Sequence, residues 1–95
     1  IARADVGALE LPDASFDAIY SRWVLCWVER PAEAFARAAR ALAPGGVFAL
    51  QDYFNYRAMT LAPRSPAFDR LREAILAKWR STAGDDDLAG NLPDW

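Results

Sequence analysis

Ninety-five residues carry 11 Lys and Arg against 13 Asp and Glu, with no His, for a net charge of −2 and a pI near 5.0. Basic residues scattered along the chain offer no groove for phosphates, which excludes nucleic acid as the main partner. A single Cys excludes an internal disulfide, and with no His and one Cys the usual ligands for a zinc or copper site are nearly absent, so no metal is expected.

No apolar run reaches membrane-spanning length and no signal peptide is visible, so the cytoplasm is the expected setting. Residues 1–6 read as the tail of an edge strand, followed by a loop over 7–15 with Leu9 and Leu11 as buried anchors. Ala18-Ile19-Tyr20, between Phe16-Asp17 and Ser21, is a short apolar run of the kind buried in a parallel sheet. A helix should begin near Pro31, whose missing N–H would be unpaired at a first helical position anyway. Glu33 in its first turn and Arg37 and Arg40 further along suit the helix dipole. Phe35, Ala38, Ala39 and Leu42 recur at helical spacing as one apolar stripe, leaving Glu33, Arg37 and Arg40 to water. Pro44-Gly45-Gly46 should end the helix, and Val47-Phe48-Ala49-Leu50 should form a second buried strand. Two parallel strands joined by a helix make a right-handed βαβ unit, and ligands of such sheets bind beyond the carboxyl ends of the strands, here near Ser21 and Asp52.

Gln51 to Tyr56 is an aromatic, polar segment leaving the sheet on that side. Ser65 as N-cap and Pro66 at the first helical position start a second helix running to about residue 80. Phe68, Leu71, Ile75 and Trp79 share one of its faces, with Leu76 alongside. Asp85-Asp86-Asp87 reads as a solvated cap for a last short helix through Gly90. It lacks the Gly and Glu that a calcium loop requires at set spacing.

Ala4-Asp5-Val6, Leu11-Pro12, Ser15-Phe16-Asp17, Val24-Leu25, Pro31 and Leu42-Ala43-Pro44-Gly45-Gly46, in this order and spacing, resemble the middle of a class I S-adenosylmethionine-dependent methyltransferase. The similarity is to the small-molecule type, methyltransferase type 11, related to the ubiquinone and menaquinone C-methylases, and runs from residue 1 to about residue 52. It implies an α/β fold, a partial Rossmann-like methyltransferase sheet with a C-terminal lid-type helix, S-adenosylmethionine as cofactor and a small-molecule methyl acceptor. Residues 1–56 would be the central part of that domain and residues 57–95 a helical insertion or substrate lid, although the stripe of the second helix suits a plain core helix equally well. An apolar fraction of 54% and four Trp exceed what one βαβ unit can cover, so the chain is expected to be an internal piece of a longer protein, inactive alone. The glycines form no G-x-G, which places the expected Gly-rich turn and the ribose-binding acid upstream of Ile1.

The resemblance also assigns roles to particular residues. Asp5 would accept a hydrogen bond from the adenine amine, with the Val6 N–H facing a ring nitrogen; the alternative is a turn aspartate bonding its own backbone. Ser21 would bring main chain close to the methionine part of the cofactor, and Arg22 would meet a carboxylate or lie on the surface. Where the family often has Leu-Glu-His, this chain has Leu25-Cys26-Trp27, which removes a His base. Trp27 then either walls the sulfonium with its π-face or packs on the sheet. Cys26 has no His to activate it as a nucleophile. Asp52, Tyr53 and Tyr56, with Asn55 beside them, would line the acceptor pocket; none is assigned a catalytic role, since in-line methyl transfer draws much of its rate from positioning. Two competing readings are a catalytically degenerate methyltransferase fold kept for binding, and a nicotinamide-dependent reductase. The latter is weakened because the Tyr-x-x-x-Lys pattern is met only by Tyr53 and Arg57.

Overall fold

In a computed structural model, which describes residues 3–82 and 84–94, Phe16–Arg22 forms β1, Pro31–Ala41 α1, Leu42–Gln51 β2, Pro66–Arg80 α2 and Leu88–Asn91 α3. Short 3-10 turns occupy Leu25–Trp27, Tyr56–Ala58 and Leu92–Asp94. The two strands pair in parallel, with Ala18 opposite Val47, Ser21 opposite Leu50 and Arg22 opposite Gln51. Trp23 N–H extends the ladder to the Gln51 carbonyl at 2.9 Å. Both strands therefore end on one rim, as the βαβ pattern predicts.

α1 starts at Pro31, as expected, but it stops at Ala41 instead of continuing to Pro44. Pro44 disfavours helical geometry in the residue before it and would meet the carbonyl one turn back, so the chain is already extended at Leu42. β2 then takes in Pro44-Gly45-Gly46 as an irregularity: five steps along it, from Leu42 to Val47, face two along β1, from Phe16 to Ala18. Gly45 supplies the left-handed backbone, φ 82°, and a Cβ on Gly46 would come within 2.9 Å of the Ala43 carbonyl oxygen.

The buried side of α1 is set one position round from the expected stripe. Ala34 and Ala41 are buried, Phe35, Arg37 and Ala38 are half-buried, and Ala39 faces solvent. Small residues let the helix approach the sheet, and the Phe35 ring stacks on Phe48 at 5.3 Å. Arg37 was expected in water; its guanidinium instead donates to the Gly7 carbonyl at 2.8 Å and the Val6 carbonyl at 3.4 Å. The reason lies in the preceding segment. Among the described residues, 3–15 form a turn and loop instead of an edge strand, so their carbonyls need partners from outside a ladder. Residues 1 and 2 of the expected strand lie outside the described residues.

With two strands and one crossover helix among the described residues, one face of the sheet is covered and the other is open. Ile19, Ser21, Phe48 and Leu50 are half-buried, whereas Tyr20 (67% exposed) and Val47 (61%) stand on the open face with Ala18 and Ala49. The uninterrupted burial expected of both strands thus appears as alternation, the pattern of a sheet packed on one side.

Ser65 caps α2 as expected, its Oγ accepting the Phe68 N–H at 3.3 Å. Leu76 and Trp79 are its buried residues, Phe68 and Arg72 are half-buried, and Leu71 and Ile75 are exposed. Arg72 displaces Leu71 from the inner face because its guanidinium reaches the Met59 carbonyl at 2.8 Å and the Asp69 carboxylate at 3.3 Å, laying its stem along the helix. The core gathers at the strand ends: Leu25, Cys26, Ala34, Trp79 and Leu88, ringed by Val28, Phe35, Leu50, Tyr53 and Tyr56. The radius of gyration is 16.0 Å, against about 12 Å for a compact domain of this length.

The acidic run is not the solvated cap it resembles in sequence. Asp86 is buried and bonded by Arg80 Nε at 3.3 Å, with Arg57 at 3.8 Å. Asp87 accepts the Asn55 N–H at 2.7 Å, while Tyr56 N–H reaches the Asp86 carbonyl at 3.1 Å and Ala89 N–H the Tyr53 carbonyl at 2.8 Å. These bonds tie residues 85–89 to the segment leaving β2.

Candidate functional site

Parallel pairing brings the chain after β1 and the chain after β2 side by side, and Asp52 locks them. One oxygen of its carboxylate accepts the Cys26 N–H at 3.2 Å; the other accepts the Tyr53 N–H at 2.9 Å. Trp23, immediately past β1, holds a left-handed backbone, φ 53°, which is unusual for so large a side chain. Its ring lies under the Arg22 guanidinium at 4.1 Å and stacks on Tyr53 at 6.0 Å.

Behind this rim the aromatic residues converge on Trp79. Trp27 stacks on it at 4.4 Å with planes 10° apart, and Tyr53 and Tyr56 meet it edge-on at 4.9 and 5.3 Å. The Trp79 indole N–H donates to the Cys26 carbonyl at 3.3 Å, which satisfies a buried polar group. Cys26 is wholly buried; that burial, and then its hydrogen bond to the Asp52 carboxylate, push the thiol pKa strongly upward. It stays protonated and cannot serve as a nucleophile. Burial also pushes the Tyr53 phenol upward, with the neighbouring Cys26, Tyr56 and Asp52 acting in the same sense.

Among the described residues, three clefts border the segments that gather at the strand ends. One of about 280 Å³ lies between Asp5 and Gly7 on one side and Trp27, Val28, Glu29 and Arg30 on the other. A second, of about 220 Å³, runs under the 6–15 loop against Val6, Leu9, Leu11, Ser21 and Val24. The third and largest, about 540 Å³, is bounded by Trp27, Ala74, Ile75, Lys78, Trp79 and Thr82.

Of the residues singled out from sequence, the structure brings Asp5 and Trp27 to one cleft and Val6 and Ser21 to another. Asp5 spends one carboxylate oxygen on its own turn, accepting the Gly7 N–H at 2.7 Å, while its side chain remains exposed at the cleft edge. Trp27 is 55% exposed and lines two of the clefts. Arg22 lies outside all three clefts, and so do Asp52, Tyr53 and Tyr56, which hold the rim together from behind. Sequence reasoning missed Lys78 and the cleft it borders; the signal was a lysine flanking an apolar stripe, which also describes most surface helices. No helix among the described residues is long and apolar enough to cross a membrane, and no group of three or more metal-ligating side chains occurs among them.

A parallel strand–helix–strand unit whose strand ends share a rim with clefts on it belongs to the Rossmann-like class of α/β proteins. Residues 1–50 match the model of a family described as a methyltransferase domain, and the chain belongs to that family. Among solved structures it is similar to an S-adenosylmethionine dependent methyltransferase from Mesorhizobium loti, with 39% sequence identity and a TM-score of 0.55. That match covers 64% of this chain and 27% of the other, so the chain spans about a quarter of the length of its solved neighbour. None of the curated proteins compared with it matches.

Proposed function

We propose that this chain is the central section of an S-adenosylmethionine-dependent methyltransferase acting on a small-molecule acceptor. The observation that carries the proposal is the shared rim, where Asp52 bridges the two strand ends beside a cleft bordered by Asp5 and Trp27. An exposed carboxylate facing an exposed indole suits the cofactor: the carboxylate accepts from an adenine amine, and the π-face favours a cation. When bound, the cofactor would supply a methyl group on a sulfonium. The protein's part is to hold donor and acceptor in line. In this reading the cofactor spans two neighbouring clefts, with Asp5 and Trp27 bordering one and the Val6 N–H and the main chain at Ser21 at the other; Arg22 stiffens the Trp23 turn. Asp52, Tyr53 and Tyr56 position the rim.

The C-terminal segment fits the role of a lid, because Trp79 of α2 and Leu88 of α3 pack over the strand ends. The bare sheet face of Tyr20 and Val47 supports placing this unit in a wider sheet, whose other segments would bring the Gly-rich turn. Calorimetry with S-adenosylhomocysteine on the full-length protein tests the proposal. Micromolar affinity, about −8 kcal/mol, is expected. No heat with either that ligand or S-adenosylmethionine would refute it.

A further inference from the structure

The largest cleft has a chemistry of its own. Its floor is the Trp27–Trp79 stack and its side is the exposed flank of α2, Ala74 and Ile75, so it offers a flat, apolar surface. Among the described residues no carboxylate lines it, and its single charge is Lys78. Lys78 makes no ion pair among the described residues, as is true of Arg3, Arg22, Arg40 and Arg70, but of these five it alone borders one of the three clefts.

The carboxyl end of a helix carries about half a negative charge, which would oppose an anion. Here those carbonyls are occupied: the Lys78 carbonyl accepts the Ser81 hydroxyl at 2.7 Å, and the Trp79 carbonyl accepts both the Thr82 N–H at 3.0 Å and the Thr82 hydroxyl at 2.6 Å. The full charge of Lys78 therefore sets the sign of the cleft.

We infer that this cleft binds a flat, mainly apolar molecule bearing one negative charge, with its ring on Trp27 and its carboxylate or equivalent group at Lys78. The volume, about 540 Å³, lies within the range of small-ligand pockets, about 300–1,000 Å³. Trp27 lines both this cleft and the cleft of Asp5. Resting on the methyltransferase reading, the acceptor class is an aromatic or similarly planar acid, seated in a cleft that shares Trp27 with the donor cleft.

The test uses 2-naphthoate and its neutral isostere 2-naphthamide as probes, with binding to the full-length protein followed by calorimetry. The acid should bind at least tenfold more tightly than the amide. Lys78→Gln should erase that preference, Lys78→Arg should keep it, and neither should alter affinity for S-adenosylhomocysteine. Equal binding of acid and amide, no binding of the acid, or a preference that survives Lys78→Gln overturns the inference. Failure of S-adenosylhomocysteine to bind instead removes the donor reading, and the naphthoate comparison then still decides whether the anion site exists.

Discussion

Gly84 sits against the edge of the Trp79 ring, and a methyl group there would overlap ring atoms Cδ1 and Nε1 and approach the Cys26 carbonyl oxygen to 3.1 Å. Gly84→Ala must therefore push the indole out of its place. The displacement costs the usual overpacking strain, about 1–3 kcal/mol, and the indole hydrogen bond to Cys26, about 1 kcal/mol. Lower entropy of the unfolded chain returns about 0.4–1 kcal/mol, for a net loss of about 1–3.5 kcal/mol. Trp79 itself is 4% exposed, so Trp79→Ala should cost about 3–5 kcal/mol. In the Trp79→Ala background the obstructing ring is gone and Gly84→Ala should cost nothing, a coupling of about 1–3.5 kcal/mol between the two sites. Urea unfolding of the full-length protein followed by far-ultraviolet circular dichroism measures all four corners of the cycle. If the two losses simply add, Gly84 does not lie against the indole and the packing described at the strand ends is wrong.

Asp5→Ala should weaken S-adenosylhomocysteine binding by about 1–3 kcal/mol, the cost of stranding a hydrogen-bond partner, while an unchanged calorimetric affinity would place the adenine elsewhere. Stability should fall as pH rises above about 9: burial raises the Cys26 thiol from its ordinary value of 9.0, so in that range the unfolded state releases a proton that the folded state keeps. The same sign holds for Tyr53, from 10.0 upward. Cys26→Ala should flatten the decline in denaturation midpoints between pH 8 and about pH 10; an identical decline would mean that Cys26 is not the group responsible. Cys26 should also resist a thiol-specific disulfide reagent until the protein unfolds, so rapid labelling under native conditions would contradict its burial. Arg37→Met frees the Val6 and Gly7 carbonyls, and limited proteolysis should then cut the 6–15 loop faster than in the parent; equal rates would show that the clip does not hold the loop.

The strand–helix–strand unit was legible because local chemistry wrote it: Pro31 starts a helix, Pro44 stops one, and Val47-Phe48-Ala49-Leu50 is too short for anything but a strand. Which faces were covered was not legible, since that depends on partners. The α1 stripe moved to Ala34 and Ala41 because small residues permit closer approach to the sheet, a preference that hydrophobic spacing does not register. In α2, Arg72 took an inner position by reaching a distant carbonyl, a contact between residues 13 positions apart in sequence. Asp86 looked solvated for the same reason: Arg57 and Arg80, which neutralise it, lie 29 and 6 residues away. At the site, Asp5 and Trp27 were recognisable by their order in the chain. The cleft at Lys78 was not, because it exists only once Trp79 stacks on Trp27.

That stack has an optical consequence. Two indoles stacked with centroids 4.4 Å apart couple their electronic transitions, and wherever their in-plane transition moments are crossed the pair produces an exciton couplet in the far-ultraviolet dichroism that neither ring gives alone. Because Trp27 is also the surface shared by two clefts, a molecule entering either one would alter the couplet, and the protein carries its own label for occupancy without any dye attached.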